Sequence, residues 1–281
     1  MTGAGPASSL DPALLAEIES VAVELAQLGG AEIRAALGSM LRIKYKSIDD
    51  HPGLFRDPVS EVDRRAEELI RQRLAERFPD HDIVGEEIDH RPSLGSDFLW
   101  AVDPIDGTAN FINGFPMFAS SVGVLYRGWP IAGALWCSTS HALEPGVYHA
   151  SQGNPVRFDG VPLDTRSNPA IRRRLGGEPR ATVAPERGWD GRKTGSAAIE
   201  CAFVAAGLLD MAWFDRPNLW DVAGGLALAL SAGKEAQIHR EQGWTAFQGF
   251  AEDGDAAHWS ARIAIGTGDT VGAFVREDIA G

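Results

Sequence analysis

The stretch Trp100-Ala101-Val102-Asp103-Pro104-Ile105-Asp106-Gly107-Thr108-Ala109-Asn110-Phe111 constrains this chain more than any other. The apolar run 98–102 reads as a short buried strand, and two carboxylates stand at its exit. Proline cannot donate to a sheet ladder, so the strand is expected to stop at Pro104. Asp103 and Asp106 then share a stiff turn, close enough for their oxygens to converge on one small volume. Gly107 and Thr108 follow, where a helix can begin with free N–H groups pointing outward. Carboxylates facing a helix N-terminus make chemical sense when a hard cation and a phosphate lie between them. The stretch predicts a metal-and-phosphate site, although an ordinary turn of solvated acids between strand and helix has the same composition.

Three further acids stand at the ends of other expected elements. Asp63 lies on a helix expected over 59–78, and Glu86 follows a strand expected at 82–84. Asp221 sits in Trp220-Asp221-Val222-Ala223-Gly224-Gly225, three residues after Asn218, where an acid favours a helix start. Singly, each has a simple explanation as a solvated or capping carboxylate. Together they supply the oxygens that two or three hard cations require from separate segments. The surroundings of Asp221, Trp220 and small residues, are tight rather than open. No Ser/His or Cys/His arrangement suggests a covalent nucleophile, and the scattered histidines carry no role.

The net charge of −13 argues against nucleic acid as the partner, because its phosphates need Lys and Arg for neutralisation. It permits a phosphorylated small molecule if divalent metals supply the positive charge. The longest weakly polar run, 222–233, is far short of the ~20 residues that span a bilayer, so no membrane partner is expected. The N-terminal segment carries acids where a signal peptide would be basic. Cys137 and Cys201 both lie in apolar neighbourhoods, which predicts buried thiols rather than a disulfide. Together these point to a cytoplasmic protein.

Along the chain, apolar positions at helical spacing (Leu14, Ile18, Val21, Leu25, Leu28) predict a first helix over 10–37. Asp11 is its candidate N-cap and Gly29-Gly30 a candidate interruption. Residues 44–56 are polar and rich in turn formers, so a mobile loop is expected. The helix at 59–78 carries Val62, Ala66, Leu69, Ile70 and Leu74 on one face and ends at Pro79. A linker is expected over 90–97. Strands follow at 118–126, 131–137, 146–150 and 156–158, with a hairpin at Gly128-Trp129-Pro130. That succession implies an antiparallel sheet and an α+β first half. The Gly/Pro/Arg-rich segment 168–177 is the expected domain junction. Beyond it, strands at 181–183, 210–214, 236–239 and 262–265 alternate with helices at 196–207, 219–231 and the C-terminus, an α/β pattern. The expected domains are 1–168, with the antiparallel sheet and most metal ligands, and 169–281, contributing Asp221 and the substrate pocket.

These motifs resemble the inositol monophosphatase family of Mg2+-dependent, lithium-sensitive phosphatases. The resemblance rests on Val59-Ser60-Glu61-Val62-Asp63, Gly85-Glu86-Glu87, the Asp103–Phe111 block with Gly114-Phe115-Pro116, Gly195-Ser196-Ala197-Ala198 and the Trp220–Gly225 block. It implies a layered αβαβα sandwich of the inositol monophosphatase and fructose-1,6-bisphosphatase type, an α+β half on an α/β half. It also implies two or three Mg2+ held by Glu86, Asp103, the Ile105 carbonyl, Asp106 and Asp221, with Asp103 bridging two of them. Thr108 and Asp63 would orient and partly deprotonate the attacking water, and the Gly107 and Thr108 amides would hold phosphate. A homodimer is implied by the resemblance alone.

The chain departs from the family pattern in its substrate pocket. An acid usual seven residues before the Asp of the WD block is Phe214 here, with Asp215 one residue later. Residues 153–192 are short and arginine-rich, and Ser231-Ala232-Gly233-Lys234 replaces an acidic, glycine-rich tetrapeptide. Asp215, Gly195 and Ala197 are therefore the candidate substrate contacts beside Gly107 and Thr108. The expected substrate is a small polyol or sugar phosphate, inositol 1-phosphate first. The alternatives are histidinol phosphate, fructose 1,6-bisphosphate, a 3′-phosphoadenosine nucleotide, or a regulatory, protein-binding member of the family. Intact Glu86, Asp103, Asp106, Thr108 and Asp221 argue for an enzyme over a pure binder.

Overall fold

The computed structural model describes residues 10–39, 41–48, 51–88, 95–165, 170–179, 189–250 and 256–280. Helix α1 (Pro12–Ala36) begins at Asp11, whose side chain accepts the Ala13 N–H, with Pro12 in the first turn. Strands β1 (Ile43–Ile48) and β2 (His51–Ser60) form an antiparallel hairpin. Helix α2 (Glu61–Arg77) and strands β3 (Asp82–Gly85) and β4 (Phe98–Asp106) follow, then the one-turn helix α3 (Thr108–Ile112). Strands β5 (Ala119–Tyr126), β6 (Trp129–Cys137), β7 (Gly146–Ser151), β8 (Arg157–Phe158) and β9 (Val161–Pro162) complete the first half. The second half comprises β10 (Arg174–Gly177), β11 (Trp189–Arg192), α4 (Ala197–Ala205), β12 (Met211–Phe214) and α5 (Leu219–Ser231). It continues with β13 (Glu235–Arg240), β14 (Gly243–Ala246), β15 (Arg262–Gly266) and α6 (Gly268–Ala280).

Two sheets organise these elements. A seven-stranded sheet runs in the order β3-β4-β5-β6-β7-β8-β9, antiparallel except for the β3/β4 pair. A six-stranded sheet runs β11-β10-β12-β15-β13-β14. Three apolar clusters fix how they stack. One joins α1 and α2 to the outer face of the large sheet through Trp100, Val102, Val122, Val124 and Trp136. A second joins the inner face of that sheet to α4, α5 and the smaller sheet through Ala101, Leu125, Cys201, Val222, Leu226, Ile238 and Ile263. On the far side of the smaller sheet, Val271 and Phe274 of α6 cover Met211 and Ala264. The layers are thus αβαβα, as the resemblance implies.

Backbone contact sets the height of α5. A Cβ on Gly123 would lie 2.4 Å from the Gly224 nitrogen, and one on Gly133 would lie 2.3 Å from the Gly224 carbonyl oxygen. Three glycines therefore let α5 lie directly against β5 and β6, which fixes where Asp221 at the head of α5 stands. The same device explains Gly29-Gly30. These residues do not interrupt α1; a Cβ on Gly30 would meet the Trp136 ring at 2.4 Å, so they seat an unbroken helix on the sheet.

Several sequence expectations need correction. Residues 44–48 and 51–56 are not loop but strand, paired in the β1/β2 hairpin, and the alternation Ile43-Lys44-Tyr45-Lys46 is its sequence mark. The central strand does not stop at Pro104. It continues to Asp106, but its ladder passes from Asp103↔Ser121 to Asp106↔Ala119, so Pro104 and Ile105 sit in a bulge where no ladder N–H is needed. Residues 174–177 are not a junction but strand β10 of the second sheet. That sheet is mixed: β10 is parallel to β11 and β12, whereas β12/β15, β13/β15 and β13/β14 are antiparallel. The boundary at 168/169, the strand expected at 181–183 and most of the 90–97 linker lie outside the described residues.

Cys137 and Cys201 are buried free thiols. No helix among the described residues is long and apolar enough to cross a membrane.

Candidate active site

Strand β4 leads the chain into a cavity of about 280 Å³ lined by Glu86, Asp103, Ile105, Asp106, Gly107, Thr108, Ala109, Gly195, Ala197, Asn218 and Asp221. Every candidate metal ligand of the sequence lies on this wall, as do Gly107, Thr108, Gly195 and Ala197. They come from five places: the exit of β3, the end of β4 with its bulge, the start of α3, the start of α4 and the first turn of α5.

Three of the carboxylates are held by helix starts. Asp63 is the third residue of α2 and forms a capping box with Ser60, whose N–H and hydroxyl both donate to Asp63 Oδ2. That leaves Oδ1, which accepts the Thr108 hydroxyl at 3.0 Å. Asp221 is the third residue of α5, and its Oδ2 accepts the Asn218 N–H at 2.8 Å. Asp106 is held at the N-terminus of α4, where the Ala197 N–H donates to Oδ1 at 3.2 Å and the Ala198 N–H to Oδ2 at 2.8 Å. The Ser196 hydroxyl also donates to Oδ2. Helix N-termini carry a partial positive charge, so each of these contacts favours the ionised acid.

Burial works in the opposite direction. Asp103 is 2% exposed, and its carboxyl is pushed well above the ordinary carboxylate value by loss of water, then by the charges of Glu86, Asp106, Asp221 and Asp63. Asp106 is raised by burial to about 6 in spite of its Ser196, Ala198 and Ala197 donors. Asp221 opens onto the cavity yet is crowded by protein, and burial followed by the Asp106 charge raises it to about 8. Asp63 is also raised, chiefly by burial, with the Ser60 and Thr108 donors holding it down.

These observations fit a hard divalent cation. Asp103 Oδ1 is buried with no hydrogen-bond partner among the described residues, an orphaned anionic oxygen that costs energy unless a cation or donor meets it. The other candidate ligands on the wall, Glu86, Asp106, Asp221 and the Ile105 carbonyl, offer carboxylate and carbonyl oxygens, the donors that Mg2+-class ions take. Among the described residues, no three His, Cys, Asp or Glu side chains close into a metal-holding group. The acids instead line the cavity, with both oxygens of Asp106 and one of Asp221 already accepting from a helix start.

Asp215 is the exception among the candidate residues. It does not line this cavity but a separate, wider depression of about 1040 Å³ with Arg216, His239 and Arg262. Arg262 of the adjoining strand β15 approaches Asp215 Oδ1 at 3.5 Å and so gives its charge a partner away from the carboxylates. Phe214, at the position of the family's usual acid, is buried in the core between α4, α5 and the smaller sheet.

Sequence reasoning missed the residues that hold the site in place. Ser60 and Ser196 orient Asp63 and Asp106. Asn110 ties two loops together through Nδ2, which donates to the carbonyls of Met117 at 2.6 Å and Thr194 at 2.8 Å. Glu67, fully buried, accepts the Glu87 N–H at 2.7 Å and pairs with Arg71, which fixes the exit of β3 where Glu86 stands. The Ser60-x-x-Asp63 spacing is a capping-box signature and was legible as such. Glu67 carries no comparable local signal.

Residues 14–261 match the family described as the inositol monophosphatase family. An inositol-1-monophosphatase of Mycobacterium bovis is 33% identical over 246 residues, 78% of this chain and 82% of that protein. A protein of Aquifex aeolicus named fructose-1,6-bisphosphatase/inositol-1-monophosphatase is 32% identical over 228 residues, 76% of this chain and 82% of its own. The chloroplastic phosphatase IMPL1 of Arabidopsis thaliana is 32% identical over 82% of this chain, and the match spans 64% of that protein's length. In fold, the solved inositol monophosphatase of Anabaena (Nostoc) has a TM-score of 0.72 over 95% of this chain and 97% of that one, at 22% identity. With a family match across nearly the whole chain and the family's blocks gathered on one cavity, the chain belongs to the inositol monophosphatase family, a family of phosphatases.

Proposed function

We propose that the chain is a Mg2+-dependent phosphomonoesterase that hydrolyses a small polyol or sugar phosphate, with inositol 1-phosphate the first candidate. The observation that carries this reading is the orphaned Asp103 Oδ1 in a cavity walled by Glu86, Asp106 and Asp221, facing a threonine hydroxyl already bonded to a buried acid. Glu86, Asp103, the Ile105 carbonyl, Asp106 and Asp221 would hold two or three Mg2+. When bound, the ions would neutralise charge on the phosphoryl oxygens and on the departing alkoxide.

The chain's own groups supply the remainder. Thr108 donates its hydroxyl proton to Asp63, so a lone pair on Oγ1 is free to accept a proton from the attacking water. Asp63, raised by burial, is a stronger base than a solvated aspartate and is the end of that short relay. The Gly107 and Thr108 amides open α3 and would donate to phosphate oxygens. Gly195 and Ala197 form the wall on which the leaving group would rest. No covalent intermediate is required.

A panel of phosphomonoesters tests the substrate class. Phosphate release from inositol 1-phosphate, fructose 1,6-bisphosphate, histidinol phosphate and a 3′-phosphoadenosine nucleotide should be Mg2+-dependent, with kcat/KM highest for a polyol or sugar phosphate. LiCl should inhibit more than KCl at matched ionic strength, since Li+ approaches Mg2+ in size with half its charge. No release from any member of the panel would overturn the reading.

A further inference from the structure

Glu200 lies in the first turn of α4, is 4% exposed, and does not line the carboxylate cavity. Its Oε1 accepts two hydrogen bonds from Thr194, the N–H at 3.0 Å and the hydroxyl at 2.8 Å. Its Oε2 is packed against Gly177 of β10, where even a Cβ would come within 2.7 Å. The carboxyl is thus wedged between the smaller sheet and the lead-in to α4. Thr194 in turn receives the Ser196 N–H on its hydroxyl at 3.2 Å and the Asn110 side chain on its carbonyl at 2.8 Å. Two side chains, Glu200 from one side and Asn110 from the other, clamp the start of the segment 194–197.

That segment does two things at the cavity. Its Gly195 and Ala197 are wall residues, and its Ser196 hydroxyl and Ala197 N–H, with the Ala198 N–H, hold the Asp106 carboxylate. Gly195 takes φ 80° and has Asn110 Nδ2 within 3.1 Å of where a Cβ would stand, so the segment has little room to settle elsewhere. Burial pushes Glu200 up to about 7, with the Thr194 donors opposing it, so a neutral group of the same shape can serve in its place.

Resting on the phosphatase reading above, we infer that Glu200 is a positioning residue for the reaction. Its carboxyl fixes the 194–197 segment and, through that segment, the three donors that orient Asp106 toward the cation site. Residues that orient metal ligands without touching the metal typically contribute 10- to 100-fold to metal affinity or activity.

The test compares wild type with Glu200→Ala, Glu200→Gln and Thr194→Val in chelator-treated, full-length protein. Three readouts are taken: hydrogen exchange of the amides at 194–198 without metal, Mg2+ affinity by calorimetry, and kcat at saturating Mg2+. Glu200→Ala should stay folded, exchange faster at 194–198 and bind Mg2+ about 10- to 100-fold more weakly. Glu200→Gln keeps an Oε1 acceptor for Thr194 and should recover most of both. If Glu200→Ala does not fold, Thr194→Val, which removes one donor and keeps the shape, should show the same changes in smaller measure. Wild-type exchange and Mg2+ affinity in a folded Glu200→Ala, or in Thr194→Val where that is the variant measured, would overturn the inference. If wild type itself binds no Mg2+, the phosphatase reading fails separately. Exchange at 194–198 then decides the clamp alone, faster exchange supporting it and unchanged exchange overturning it.

Discussion

Thr108 Oγ1 donates to Asp63 Oδ1 at 3.0 Å, joining the start of α3 to the start of α2 across 45 positions of sequence. The same hydroxyl lies 2.8 Å from the Ile105 carbonyl, so its one proton has two acceptors. A cation on the Ile105 carbonyl would leave Asp63 as the acceptor, which is the orientation that water activation needs. Removing the hydroxyl should abolish that activation while sparing the fold. Thr108→Ala is expected to lower kcat by about 10²- to 10⁴-fold with KM within a few-fold of wild type. Steady-state kinetics alongside a thermal melt measures both; a kcat near wild type would remove Thr108 from the reaction.

Burial of the acids, with their mutual charge behind it, predicts how stability varies with pH when metal is absent. Asp106 and Asp221 are raised to about 6 and about 8 in the folded protein, against 3.8 unfolded. Between those values the folded state binds more protons than the unfolded state, so stability is lost as pH rises. In chelator, the melting temperature at pH 8.5 should lie below that at pH 5.5 by more in wild type than in Asp221→Asn, which removes one titrating charge. Identical pH dependence in the two proteins would mean that burial and the neighbouring acids do not raise Asp221.

The glycine contact under α5 has its own consequence. A Cβ on Gly224 would stand 2.8 Å from the Val122 carbonyl oxygen, a backbone atom that cannot turn aside. Gly224→Ala should cost about 1–3 kcal/mol in chemical denaturation. Because α5 carries Asp221, the folded fraction should also bind Mg2+ more weakly. Unchanged stability would show that the helix can lift from the sheet freely.

Asp215 offers a test of specificity. Its partner is Arg262, and both line the wider depression rather than the carboxylate cavity. A pair of this kind, with both side chains about one-third accessible to screening water, contributes little, roughly 0–1 kcal/mol. Asp215→Ala should therefore change KM for inositol 1-phosphate and for an aryl phosphate by less than about threefold. A selective rise for the polyol substrate would return Asp215 to the substrate contacts that the sequence pattern suggested.

Much of the architecture and nearly all of the cavity wall were legible in the sequence, for identifiable physical reasons. Helix α5 has the bounds expected of it because Asn218, Asp221 and the apolar run through Leu230 signal start and length together. The acids of β4 were legible because the apolar strand, Pro104 and Gly107 confine them to one short stretch, which the structure makes a bulge rather than a turn. The β1/β2 hairpin was hidden because turn-forming residues outweighed a brief alternation at 43–46. The place of Asp215 outside the cavity was hidden because sequence proximity to Phe214 says nothing of Arg262, which reaches it from another strand. Glu200 and Glu67 carry no local sequence signal; their burial is created by packing between segments far apart in the chain.

Mg2+ dependence of phosphate release tests the central claim most directly. Chelator-treated protein, assayed on inositol 1-phosphate and the wider phosphomonoester panel, should release no phosphate until Mg2+ is added, and Asp103→Asn should remain inactive at the same Mg2+ concentration while folded. Release without divalent metal, or near-normal turnover in Asp103→Asn, would contradict the account.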